Sequence, residues 1–403
     1  MAKIAEPTEE KEQPTRALRE EDRSTRRLLV TLMWLLGIAA VALLGLLIWI
    51  LRPKSGTPPD QAAGYPIEVV TTIYGSGQKA NELIKTPLGV TFDDAGNVWV
   101  SDTGQSRVEE YRADGTFIQK IGDEEGLGKL YSPYGIAVDP ATDRVYVADY
   151  ASGFVQIYST TGQYIAHMPA DDQNPKAFGK GGFTPYAVKI VDGRIVVSSY
   201  DGLYFFDDSG HIVSRWGGTA KGRPVYGAPV GMFNFPDSFT VDEETGNIYV
   251  ADTLNRRIVA LDSNGDWLWF SGRPDVGGNI AGFWQLPRSI QIGPDGNIYV
   301  VDTFRPNHTG MGVGHIVVLS PDGRLLSEFG RAGTQDGAFS MPDQLSLNAD
   351  GTLWAIADRE NDRVVIFRLN TPYPAVDPLE VPKYRGMLVP TGGLISSTPS
   401  PKG

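Results

Sequence analysis

Asp237, Arg288 and Asp343 each stand directly after a proline, in Pro236-Asp-Ser-Phe239, Pro287-Arg-Ser-Ile290 and Pro342-Asp-Gln-Leu345. A guanidinium set between two carboxylates can orient a carboxylate or another polar ligand, and an acid left free can serve as a general base. The same three side chains can also pair with one another and close the site, which is the favoured reading. The matching positions after Pro87, Pro133 and Pro185 are Leu88, Tyr134 and Tyr186. One half of this series is apolar or aromatic and the other is Asp, Arg, Asp. The candidate ligand-binding residues are therefore Tyr134, Tyr186, Asp237, Arg288 and Asp343, and the catalytic candidates are confined to the last three.

Other chemistry has thinner support. The histidines are His167, His211, His308 and His315, and of these His308 and His315 share a glycine-rich loop. A metal centre needs three or four N, O or S ligands in register, so this pair is a weak metal candidate. The expectation is no metal and no cofactor. A third set, Asp102, Asp149, Asp252, Asp302 and Asp358, recurs too regularly for catalysis. A carboxylate at a strand end can accept backbone N–H groups of the following turn, which assigns these residues a structural role.

These positions are held by a repeat. Asn247-Ile-Tyr-Val-Ala-Asp-Thr253 returns as Asn297-Ile-Tyr-Val-Val-Asp-Thr303, Asn97-Val-Trp-Val-Ser-Asp-Thr103 and Arg144-Val-Tyr-Val-Ala-Asp-Tyr150. The positions Asp102, Asp149, Ser199, Asp252, Asp302 and Asp358 are separated by 47, 50, 53, 50 and 56 residues, the spacing of a blade repeat. Each unit reads as a Pro-led strand, a turn, the repeated phrase, a third strand, a second turn such as Ala113-Asp-Gly115, and a fourth strand ending in Gly. Two glycine turns between short β-branched strands specify a four-stranded antiparallel blade. The sixth unit ends after its third strand, at Phe367-Arg-Leu-Asn370, while Ile67–Tyr74 is an unmatched strand at the other end. The expected fold is all-β, a six-bladed β-propeller closed by an N-terminal strand that completes the last blade.

The Pro-led strand, the Asp closing the second strand, and polar residues before the third (Asn255-Arg-Arg-Ile258, Asn361-Asp-Arg-Val364) resemble the NHL repeat. The resemblance covers residues 67–370 and implies a six-bladed propeller. NHL-like propellers include metal- and histidine-using peptide lyases, extracytoplasmic sensors of bacterial receptor kinases, and scaffolds for protein or RNA. Histidines do not recur at the blade mouths here, which removes the basis for the metal-dependent lyase. The third unit departs furthest, with Ser199 in place of Asp.

Ahead of the repeat, residues 28–51 carry no charge. A helix of that length spans about 36 Å, enough to cross a bilayer core, so one transmembrane α-helix acting as an uncleaved signal anchor is expected. Seven basic residues precede it and only Arg52 and Lys54 follow closely, which places the N-terminus in the cytoplasm and the propeller outside. Residues 1–27 read as a disordered cytoplasmic tail, 52–66 as a tether and 371–403 as a Pro-rich extended tail. Beyond residue 54 there are 27 basic and 41 acidic residues, a net of −14, which argues against nucleic acid as a partner. The chain has no cysteine, so disulfides and thiolate sites are excluded.

Taken together, the sequence describes a bacterial, membrane-anchored, extracytoplasmic propeller. Its expected role is a protein-binding and assembly scaffold in a cell-envelope complex, leaning away from an enzyme. Partners are expected on the loop face, where Gly217–Asn234 carries Tyr226 and Phe233 and Gly272–Leu286 carries Phe283 and Trp284 (Phe283 expected to be packed), or on the Pro-rich tail. The alternatives are a lyase- or hydrolase-type enzyme at the channel mouth, or a glycan or small-ligand sensor.

Overall fold

The computed structural model describes residues 66–173, 182–217, 231–272, 284–304 and 313–370, together with Leu32 and Phe178. Segments 1–27 and 371–403 lie outside the described residues, as do 52–65 and all of 28–51 except Leu32, which is helical. Among the described residues no helix is long and apolar enough to cross a membrane.

Strand β1 (Ile67–Ile73) comes first, and twenty-three more follow in a repeating order. Blade 1 is β2 (Gly89–Phe92), β3 (Val98–Asp102), β4 (Arg107–Tyr111) and β5 (Phe117–Ile121). Blade 2 is β6 (Pro133–Asp139), β7 (Arg144–Asp149), β8 (Phe154–Ser159) and β9 (Tyr164–Met168). Blade 3 is β10 (Val188–Val191), β11 (Arg194–Ser199), β12 (Gly202–Phe206) and β13 (Ile212–Gly217). Blade 4 is β14 (Pro236–Val241), β15 (Ile248–Asp252), β16 (Arg257–Leu261) and β17 (Trp267–Ser271). Blade 5 is β18 (Pro287–Ile292), β19 (Ile298–Phe304), β20 (Val313–Leu319) and β21 (Leu325–Phe329). Blade 6 holds β22 (Pro342–Leu347), β23 (Trp354–Asp358) and β24 (Arg363–Leu369). Its fourth position is taken by β1, which pairs antiparallel with β24 from Ile67 opposite Leu369 to Ile73 opposite Val364. The fold is an all-β, six-bladed propeller.

The burial pattern explains the sequence pattern. Second and third strands are covered on both faces by neighbouring blades, so β3 and β15 are buried throughout and read as apolar runs up to the polar residues that close them, Ser101-Asp102 and Asp252. Outer strands alternate, as in β5, because one face meets solvent. Cores form between blades: Val90, Val98 and Tyr111 of blade 1 pack with Ala355, Val364 and Ile366 of blade 6, and with Ile73 of β1. The glycine after the outer strand is required twice over. Gly122 has φ +77°, and a Cβ there would come within 2.3 Å of Leu130.

First strands ring the central axis. Their inner edges are tied across blades, as where the Val90 and Phe92 amides of blade 1 donate to Gln344 Oε1 and Ser346 Oγ of blade 6.

Candidate ligand site at the channel mouth

The repeated aspartates build the mouth. Asp252 Oδ1 accepts the Asn234 amide at 2.7 Å, and its Oδ2 accepts Asn255 Nδ2 at 2.8 Å and Arg257 Nε at 2.7 Å. Asp358 repeats this with Ser340, Asn361 and Arg363, and Asp102 with Lys85 and Arg107. Asp149 takes the Tyr131 and Ser132 amides, and Asp302 those of Gln285 and Leu286. The amide donors thus come chiefly from the loop entering the Pro-led strand; the turn after the Asp, where the sequence reading had them, adds the Ser152 amide in blade 2. The entering loop runs past the end of the second strand, so its N–H groups are within reach. In blade 3 Ser199 Oγ accepts the Thr184 amide at 3.0 Å and does the same work with a weaker acceptor.

The loop held by each aspartate then aims the residue after the proline. Thr86, Phe235 and Met341 have φ of 47°, 62° and 49° immediately before Pro87, Pro236 and Pro342. Left-handed backbone is unfavourable for such residues, and clamping by the aspartate is what sustains it. Register then slips between Pro236 and Ser238, Pro287 and Ser289, Pro133 and Ile136, and Pro342 and Leu345. Asp237, Arg288, Tyr134 and Asp343 are therefore bulge residues, turned out of the ladder at one end of the channel.

There they meet. Arg288 Nη1 donates to Asp237 Oδ2 at 2.7 Å, while Arg288 Nε, buried, makes no hydrogen bond among the described residues. Asp343 does not bond Arg288; its ion pair is with Arg359, at 3.7 Å. Burial pushes the Asp237 carboxyl up to about 6 against the pull of Arg288, and the Asp343 charge raises it further. Burial also raises Asp343, opposed by Arg288 and Arg359. Tyr134 lies across the ring, and burial together with Asp343 and Asp237 pushes its hydroxyl up to about 12. Its ring packs on Tyr186 at 5.8 Å and Tyr150 at 5.6 Å, and Tyr186 packs on Phe235 at 4.1 Å. Leu88 is buried on the same ring. The site is an aromatic wall facing two ion pairs, with one carboxylate only loosely held. Such a site can orient a polar ligand and, through a carboxylate of raised pKa, accept a proton.

Arg359, Tyr150 and Phe235 escaped the sequence reading. Each lies next to a repeat landmark: Tyr150 follows Asp149, Arg359 follows Asp358, and Phe235 precedes Pro236. Exposed Tyr131, Tyr150 and Leu254 stand on loops of this same end. The loop aromatics Phe233 and Trp284, read from sequence as recognition groups, are instead buried, because they cap inter-blade cores beside Trp267 and Trp269. Tyr226 and Phe283 lie outside the described residues. His315 sits 3.7 Å from Asp302 and 3.5 Å from Glu328, in the place that Arg257 and Arg363 take in their blades. His308 lies outside the described residues, among which no group of side chains is arranged to hold a metal ion.

No family model matches the chain. Human NHL repeat-containing protein 3 is 25% identical over 175 residues, 42% of this chain and 46% of that protein. Six blades carrying this repeat decide the family of folds. The chain is an NHL-type propeller. This NHL-type propeller is also similar to the peptidyl-alpha-hydroxyglycine alpha-amidating lyase 1 of Drosophila melanogaster, 24% identical over 328 residues, 73% of this chain and 59% of the relative. A probable lyase of the same kind from Caenorhabditis elegans is 27% identical over 140 residues, 34% of this chain and 38% of its own. The matches thus span less than two thirds of these relatives. Virginiamycin B lyase from Staphylococcus aureus superposes with a TM-score of 0.48 at 14% identity, over 75% of this chain and all of that one. At that score the likeness carries no inference about chemistry.

Proposed function

We propose that this NHL-type propeller is a recognition platform whose ligand docks at the mouth formed by Tyr134, Tyr186, Asp237, Arg288 and Asp343. In this reading residues 28–51 anchor it in a membrane with the propeller on the outer side, β1 closes the ring, and the ligand is a segment of another envelope protein. The carrying observation is the inequality of the ring: equivalent bulge positions hold Leu and Tyr on one side and Asp, Arg, Asp on the other. The fold requires no such difference, and exposed Tyr131, Tyr150 and Leu254 at the same end supply the apolar rim that a protein ligand uses.

The test is affinity capture from native membranes with wild type and with the double variant Asp237→Asn, Arg288→Leu. Removing both members of a buried ion pair is near-neutral for stability, so the variant separates recognition from folding. Capture of the same partner by both would overturn the mouth as the site.

A second reading, an enzyme of the lyase type at this mouth, is supported by the names of the relatives and by two carboxylates raised by burial beside Arg288. Incubating the full chain with a model peptide ending in α-hydroxyglycine tests it. Release of the amidated peptide, abolished by Asp343→Asn, supports the enzyme, and an unchanged peptide sinks it.

A further inference from the structure

Lys189 lies on β10, the innermost strand of blade 3, three positions beyond Tyr186 and so about 10 Å along the channel from the mouth. Its Nζ donates to Gln291 Oε1 at 3.3 Å. Gln291 belongs to β18, the innermost strand of blade 5, so the bond passes in front of blade 4 and places the ammonium inside the channel. Among the described residues Gln291 is its only polar partner. The matching residues of neighbouring strands are Ala137, Thr240 and Gln291, and its cross-strand partner on β11 is Val196; none of these titrates. An ammonium with three donors, half-buried in the channel and offered a single neutral acceptor, has donors to spare.

The inner-edge amides beside it also lack the side-chain acceptors that two other seams supply. At the seam of blades 6 and 1, Gln344 and Ser346 accept the inner-edge amides of Val90 and Phe92. At the seam of blades 5 and 6, Ser289 Oγ accepts the Leu345 amide at 3.0 Å. At the seam of blades 3 and 4 the same two places are filled by Ala187 and Lys189, a methyl group and a cation. Neither can accept from Phe239 or Val241, the equivalents of Val90 and Phe92. The seam of blades 2 and 3 has Gly135 and Ala137 in these places and likewise offers no side-chain acceptor, so what sets the seam of blades 3 and 4 apart is the ammonium of Lys189.

We propose that the channel between blades 3, 4 and 5 binds a small oxyanion or carboxylate, held by Lys189 Nζ, the Gln291 side-chain amide and the inner edge of β14. A charged acceptor takes up the spare donors of the ammonium and can reach the inner-edge amides of β14 as well, and charge-assisted hydrogen bonds are the strong ones. Burial lowers the Lys189 ammonium to about 8, so at neutral pH it is still mostly charged and able to bind. The site is separate from the Asp237–Arg288 mouth and does not depend on its role.

The experiment is thermal unfolding of the full chain at pH 7 and constant ionic strength, titrated with acetate in one arm and inorganic phosphate in the other. A saturable rise in Tm in wild type and Lys189→Arg, with half-saturation at least about tenfold weaker in Lys189→Met, is expected. The arm that saturates at lower concentration tells carboxylate from phosphate. In parallel, acylation of Lys189 in wild type is followed by mass spectrometry with and without the anion, which needs no variant to fold. Protection by the anion is expected. Equal responses of wild type and Lys189→Met, no saturable response in either arm, or an unprotected Lys189 overturns the proposal.

Discussion

Arg288 donates to Asp237 at 2.7 Å across the seam of blades 4 and 5, each residue projecting from its own β-bulge. Both are nearly enclosed, so the pair matters most when it is broken on one side. Arg288→Ala leaves a buried carboxylate without its cation and should cost about 3 kcal/mol in urea unfolding. Arg288→Lys retains the charge with a single donor geometry and should cost less. Equal losses in the two variants contradict this account of the pair.

Asp252 joins the loop before β14 to the turn and strand after itself, and its removal takes the carboxylate from the Arg257 Nε and the Asn234 amide together. Asp252→Ala should destabilise by about 3 kcal/mol. It should also speed hydrogen exchange in residues 232–237 more than in β1. An unchanged exchange rate at that loop contradicts the clamp.

The mouth carries a pH signature. The Asp237 carboxyl is raised from 3.8 to about 6 by burial first, with Asp343 adding to the rise. The folded state therefore holds this proton more tightly than the unfolded chain does. Its contribution to stability is largest below about 4 and declines as pH rises toward 6. The stability difference between wild type and Asp237→Asn should fall over that window and then level off, read from urea midpoints at a series of pH values. A difference that rises with pH contradicts the assignment.

Strand β1 contributes Ile73 to the core shared by blades 6 and 1. Deleting residues 67–73 bares the edge of β24 and opens that core, so cooperative unfolding should be lost and aggregation should follow. A peptide of the β1 sequence added in trans should restore part of the transition. A deletion variant that unfolds like wild type contradicts the role of this strand.

The architecture was legible because one physical requirement is written six times. Asp102, Asp149, Asp252, Asp302 and Asp358 repeat since every blade must tether its first strand, and the unmatched Ile67–Tyr74 stood out by count. The candidate site was half legible. Unequal residues after the prolines flagged Asp237, Arg288 and Asp343, but their pairing is set by bulges and left-handed residues that no spacing reveals. Arg359 was missed because it belongs to the short turn after the second strand, and only the closed ring brings it to Asp343. Phe233 and Trp284 misled because a loop aromatic and an inter-blade plug have the same sequence appearance.

The central claim is that the mouth is where this propeller meets its ligand. A photo-crosslinking residue placed at Tyr150, on the exposed mouth rim, is compared with one at Ile118 on the outer strand of blade 1. In native membranes the account predicts one discrete adduct from position 150, lost in the Asp237→Asn, Arg288→Leu background, and none from position 118. An adduct from position 118 alone, or one from position 150 that persists in that background, contradicts it.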